Sequence, residues 1–145
     1  MKESPEPCLF CEIAAGRQAA SVVSQDELTL AFLDLRQFHP GHTLVIPRAH
    51  IPDIREVDVV TAQAVMATVV RIARAVADVF PSDGLTVWHS AGEGANQEVP
   101  HLHFHVHPRR VGDDLLRVYP VAPAHPPRAV LEEWASKLQE SFRDR

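Results

Sequence analysis

Four histidines alternate with apolar residues in the run His101-Leu102-His103-Phe104-His105-Val106-His107. On a β-strand successive side chains point to opposite faces, so the four imidazoles share one face and Leu102, Phe104 and Val106 share the other. The apolar three belong to a core. Pro100 suits the first position of such a strand, where its missing N–H does least harm. Imidazoles at this spacing stand roughly 6–7 Å apart. Packing gives no reason for four of them on one face, because each would need a hydrogen-bond partner if buried. Two chemistries remain. Alternate histidines can converge on a catalytic metal ion, although the run has no obvious downstream carboxylate ligand. Alternatively, one imidazole attacks an electrophile while its neighbours fix the tautomer and bind developing charge.

The rest of the chain predicts an α+β domain. Cys8 to Ala15 reads as a short helical turn ending at Gly16. Ser21-Val-Val-Ser24 and Leu28 to Leu33 read as a hairpin, and Pro40-Gly41 turns the chain into a third strand, Thr43 to Ile46, which Pro47 ends. From Asp58 to Phe80, apolar residues at Ala62, Val65, Met66, Val69, Ile72, Ala73, Val76 and Val79 mark one buried helical face. Leu85 to Trp88 is a fourth strand, 92–97 a glycine-containing loop, and the histidine run a fifth strand. A last helix from Arg128 to Phe142 carries Val130, Leu131, Trp134 and Leu138. Strands before and after one long helix favour an antiparallel sheet of about five strands, covered by the 58–80 helix, over a doubly wound fold.

At 145 residues the chain is sized for one domain, 1–145. A net charge of -5 offers no electrostatic footprint for duplex nucleic acid or anionic lipid, so any phosphate must be held locally. The start, Met-Lys-Glu-Ser-Pro-Glu-Pro, lacks the apolar stretch of a signal peptide. Asp58, Arg71, Arg74 and Asp78 interrupt the longest apolar region, which argues against a membrane span. The expectation is a cytoplasmic protein, where Cys8 and Cys11 point to metal or redox chemistry rather than a structural disulfide.

The run His101-Leu-His-Phe-His-Val106 resembles the signature of the histidine triad (HIT) family. Cys8-Leu-Phe-Cys11, Phe32-Leu-Asp34, Pro40 to His50 and Gln97-Glu-Val-Pro-His101 are similar to family segments in family order. The resemblance covers roughly 8–110, leaving 111–145 as a C-terminal segment and helix. It implies a HIT-like fold and an enzyme acting at the α-phosphate of a purine nucleoside phosphate derivative, such as an adenosine phosphoramidate or a diadenosine polyphosphate. His103 would attack phosphorus to form a nucleotidyl-histidine, and water would then release the monophosphate. A neutral imidazole suits this, provided its other nitrogen is held as a donor. By the same resemblance His105 contacts the phosphate or leaving group, His42 orients the triad and Gln97 donates to a phosphate oxygen. Asp34 binds the ribose, with Phe32 and Leu35 near the base. A homodimer is also implied.

Two cysteines and two histidines can supply a closed tetrahedral zinc site. In the bacterial Cys-x-x-Cys branch that the chain resembles, the ligands correspond to Cys8, Cys11, His50 and His101. This would make the zinc structural and remove His101 from the chemistry. A redox pair or two unmetallated thiols are the other readings.

Three positions depart from the family pattern: His107 replaces an apolar residue, His89 an asparagine and Asn96 a glycine. His89 would hydrogen-bond substrate as asparagine does, His107 reads as a partly exposed neighbour of the site rather than a catalyst, and Arg109 and Arg110 as phosphate contacts or a solvated strand end. Two other functions compete with the hydrolase or nucleotidyl transferase. One is a nucleotide-binding regulatory protein with little turnover, and the other a metal-dependent hydrolase using the histidine run.

Overall fold

The structure is a computed structural model describing residues 7–115, 119–143 and 145. They fall into two compact units, Met1–Asp113 and Asp114–Arg145. The first holds helix α1 (Leu9–Ala14), strands β1 (Val22–Gln25), β2 (Thr29–Leu33) and β3 (Thr43–Pro47), helix α2 (Val59–Val79), and strands β4 (Gly84–Trp88) and β5 (Phe104–Arg109). The second holds helix α3 (Arg128–Arg143), on which Leu131, Trp134 and Leu138 are exposed.

The five strands form one antiparallel sheet in the order β1-β2-β3-β5-β4. Strand alternation assigns its two faces. Ala31, Val45 and Val106 point to one face, where Val65, Val69, Ile72 and Val76 of α2 close over them. Each of these valine and isoleucine side chains contributes roughly 1.5–3 kcal/mol when removed from water. Leu30, Phe32, Leu44 and Ile46 point to the other face and pack with Cys8 and Phe10 of the N-terminal turn. By length and composition α2 could cross a membrane, yet one of its faces forms this core.

Asp58 caps α2, its carboxylate accepting the Thr61 N–H at 3.1 Å. Phe80 leaves the helix in extended conformation, as the following Pro81 favours. The Phe80 ring then lies against Gly41, which has φ +112°, and a Cβ there would come within 2.7 Å of the ring. Only glycine fits the turn that delivers His42 to the sheet.

The histidine run differs from a continuous strand. Regular pairing begins at Phe104, while His101 to His103 precede it in irregular backbone. There the His101 N–H bonds the Val99 carbonyl at 2.8 Å and the Leu102 N–H bonds the Ile51 carbonyl at 2.6 Å. These bonds replace the ladder, and the first two histidines keep independent orientations. From His105 onward the register holds: His105 pairs with Leu44 on β3 and with Trp88 on β4. This puts His105 on the face opposite α2.

Candidate functional site

Two groups of side chains meet on that face. The first comprises Cys8, Cys11, His50 and His101, whose ligand atoms all lie within 4.8 Å of one another. Cys8 caps the N-terminus of α1 and its Sγ accepts the Cys11 N–H, so the turn itself brings both sulfurs to one side. Cys8 Sγ and Cys11 Sγ lie 3.3 and 3.5 Å from His101 Nδ1, and Cys11 Sγ lies 3.3 Å from His50 Nδ1. A tetrahedral zinc with ordinary Zn–S and Zn–N bonds has S···N edges of about 3.5 Å, so the spacing fits. The fully buried His101 donates Nε2–H to the Pro47 carbonyl at 2.8 Å, which leaves Nδ1 as the basic nitrogen facing the sulfurs. Burial pushes His101 down to about 4, toward the neutral form a metal requires. Burial and the neighbouring Cys8 push the Cys11 thiol up to about 12.

The second group is the remainder of the histidine run with His42. His103 is buried, and its Nδ1–H donates to the His101 carbonyl at 2.6 Å. A carbonyl only accepts, so the neutral ring carries its lone pair on Nε2. Phe10 stands edge-on to the ring at 5.2 Å. Burial lowers His103 below the ordinary histidine value. His42 donates Nδ1–H to the Arg36 carbonyl at 3.2 Å, and its Nε2 therefore accepts the Nδ1–H of His105 at 2.9 Å. Burial pushes His105 down to about 3 and lowers His42 as well, so both are neutral near pH 7. Asp34 Oδ2 lies 3.8 Å from His42 Nε2, and Asp34 Oδ1 accepts the Arg36 N–H at 2.8 Å.

Beside this group lies a mostly apolar groove of about 330 Å³. Phe10, Phe32, Leu44 and Val99 are among its walls, and Asp34, Arg36 and Glu98 also line it. Phe32 is buried in the wall, whereas Leu35 is fully exposed at the rim. Arg36 and Glu98 pair at 3.0 Å, and both are well exposed.

Gln97, His89, Arg109 and His107 each have partners within the chain. Gln97 accepts the Gly92 N–H at 2.7 Å and donates both amide protons, to the Pro52 carbonyl at 2.7 Å and the Val99 carbonyl at 3.0 Å. Its amide braces the 92–100 loop. His89 donates Nδ1–H to the His103 carbonyl at 3.1 Å while Nε2 accepts the Ile54 N–H at 3.3 Å, so it supports the backbone of His103. Arg109 is held by Asp113 and donates to Thr86 Oγ1 at 3.0 Å. His107 is a neighbour of the site, packed on His42, but it is buried rather than partly exposed, because its Nδ1–H finds the Pro108 carbonyl at 2.7 Å. Sequence reasoning did not single out Phe10 or Trp88. Phe10 lies between the two cysteines and was within reach, but Trp88 gains its place only through the β4–β5 register.

Residues 15–112 match the HIT domain. The chain belongs to the HIT family. The Bacillus subtilis relative named Protein hit is 44% identical over 104 residues, covering 72% of each chain. A solved HIT family protein of Bacillus subtilis superimposes with a TM-score of 0.85 at 37% identity, over 93% of this chain and 96% of that one. A zinc-bound histidine triad family protein from Mycobacterium smegmatis gives a TM-score of 0.70 at 35% identity, over 93% and 97%. Adenylylsulfatase HINT3 of Arabidopsis thaliana is 31% identical over 108 residues, 74% of this chain and 55% of its own length. Family membership suggests a nucleotide hydrolase or transferase, and four side chains stand close enough to hold a metal ion.

Proposed function

We propose that this HIT protein cleaves a bond at the α-phosphorus of a purine nucleoside phosphate derivative, with His103 as the nucleophile. The observation that carries the reading is the bond from His103 Nδ1–H to the His101 carbonyl, which leaves a neutral imidazole with its lone pair on Nε2. Attack forms an N–P bond as the bond to the departing group breaks. Water then attacks the phosphorus, the N–P bond breaks with its electron pair returning to His103, and the nucleoside monophosphate leaves. The groove beside the histidines suits a purine against Phe32 and Phe10, with Asp34 accepting from ribose hydroxyls and Leu35 at the rim. His105 and its partner His42 serve the phosphate and the departing group. Gln97 and His89 act through the backbone they brace.

In this reading Cys8, Cys11, His50 and His101 hold a zinc ion. With four protein ligands it would supply cross-linking of α1 to the ends of β3 and β5, with no position open to substrate. The protein acts in the cytoplasm, where the thiols stay reduced, and as a homodimer. An adenosine phosphoramidate and a diadenosine polyphosphate are the expected substrates, and the plant relative named an adenylylsulfatase extends the set of departing groups to sulfate.

A second reading draws on Asp34, His42 and His105, which also lie within 4.8 Å of one another. A catalytic metal there would have to displace the proton shared by His42 and His105 at 2.9 Å. Intact mass spectrometry after rapid mixing with adenosine phosphoramidate separates the two. An adduct of adenylyl mass on His103 is expected, and turnover without any adduct would sink the covalent mechanism.

A further inference from the structure

Trp88 and His105 are direct partners across the β4–β5 ladder. Their rings stack face to face, with centroids 4.2 Å apart and planes inclined by 4°. The same indole lies 5.6 Å from the ring of His42 and 6.0 Å from that of His107. His107 packs in turn on His42 at 4.5 Å. The hydrogen-bonded pair His105–His42 is thus enclosed between an indole and the histidine that the signature does not explain.

Hydrogen-bond direction decides what the stack can do. His42 holds its proton on Nδ1 toward the Arg36 carbonyl, so the Nδ1–H of His105 points at His42 and His105 Nε2 bears a lone pair. A lone pair cannot donate to a departing group. Donation requires a second proton, which makes His105 an imidazolium in a site whose burial opposes charge. The charged and titratable groups facing His105 are His103 on its own strand, His42, and Asp34 and Arg36 after β2. Of these only Asp34 favours the cation. The face of an indole is the strongest aromatic partner for a cation, and a parallel stack provides it while leaving Nδ1 bonded to His42 and Nε2 able to donate.

We propose that Trp88 is a positioning residue, holding the plane of His105 and stabilising the imidazolium that His105 becomes before it protonates the departing group. The inference rests on the phosphorus-transfer reading of the site. The proton enters from solution as substrate binds. In the first step His103 Nε2 bonds to phosphorus, the bond to the departing group breaks, and the proton on His105 Nε2 moves to that group. In the second, water attacks phosphorus and gives a proton to His105 as the N–P bond breaks.

Trp88 also reports on the event it stabilises, because a stacked imidazolium accepts an electron from the excited indole and quenches it. The test uses the zinc-loaded full chain with Trp134→Phe, leaving Trp88 as the single tryptophan. Emission is expected to fall in acid, the midpoint to rise when AMP is bound, and His105→Asn to remove the step. In turnover, Trp88→Phe keeps kcat within about 3-fold. Trp88→Leu lowers kcat by about 10-fold, leaves KM nearly unchanged, and moves the alkaline limb of the kcat profile to lower pH. An acid quench that persists in His105→Asn overturns the proposal even if Trp88→Leu fails to fold. So does a folded Trp88→Leu protein with the parent kcat and pH profile. An adenylyl adduct on His103 with unaffected Trp88 variants removes only the role of Trp88, whereas no adduct in the parent removes the reaction beneath it.

Discussion

His103 donates its Nδ1 proton to the main-chain carbonyl of His101, 2.6 Å away, while the ring of His101 faces the two cysteine sulfurs. One residue therefore joins the candidate metal centre to the candidate nucleophile. Its ring is held by Pro47 and the sulfurs, its N–H by Val99, and its carbonyl selects the His103 tautomer. Loosening the ring would let the carbonyl move, and the lone pair on His103 would lose its fixed position.

Loss of the metal should for that reason affect chemistry as well as stability. Cys11→Ser is expected to abolish stoichiometric zinc in elemental analysis and lower Tm by on the order of 10 °C. It should also slow formation of the adenylyl adduct on His103. A variant that keeps the parent Tm without zinc would show that the four side chains hold the fold unaided.

Replacing the nucleophile should separate binding from turnover. His103→Asn keeps a donor for the His101 carbonyl but has no nucleophilic nitrogen, so turnover should fall at least ~10³-fold. Binding of AMP, measured by calorimetry, should stay within about 3-fold. Retained turnover would move the chemistry to another residue.

How much of this was legible in advance differs from residue to residue. Period-two alternation put Phe104 and Val106 on the core face of the histidine strand, and the 3.6-residue spacing of Val65, Val69, Ile72 and Val76 marked the face of α2 that meets the sheet. Four ligand-type residues scattered over the chain also come together. What local pattern could not supply was register. The strand order β1-β2-β3-β5-β4 brings Trp88 opposite His105, a pairing settled by long-range packing. Nor could pattern show that both ends of Gln97 and both nitrogens of His89 bond to neighbouring backbone. A polar residue beside a signature looks alike whether it faces substrate or its own loop.

Asp34 offers a test of the groove. If its carboxylate accepts from the ribose, Asp34→Asn should weaken AMP binding by about 10-fold, since hydrogen bonds to a charged group contribute ~1.5–3 kcal/mol. A 2′,3′-dideoxy analogue should bind parent and variant alike. An equal loss for both nucleotides would assign the effect to the contacts of Asp34 with Arg36 and His42 instead.

Acid should expose the cost of burying the paired imidazoles. Burial pushes His105 down to about 3 and lowers His42, whereas an unfolded chain titrates both near ~6.5. Between those values the unfolded state binds more protons, so stability rises with pH there. The contribution is complete above about pH 6.5 and is lost progressively as pH falls toward 3. His105→Gln removes one of the two groups, and its urea midpoint should fall less than that of the parent between about pH 7.5 and pH 4.5. Protonation of the cysteine and histidine ligands affects both proteins, so the difference between them isolates His105. Parallel curves would mean that His105 titrates in the folded protein as it does in the unfolded chain.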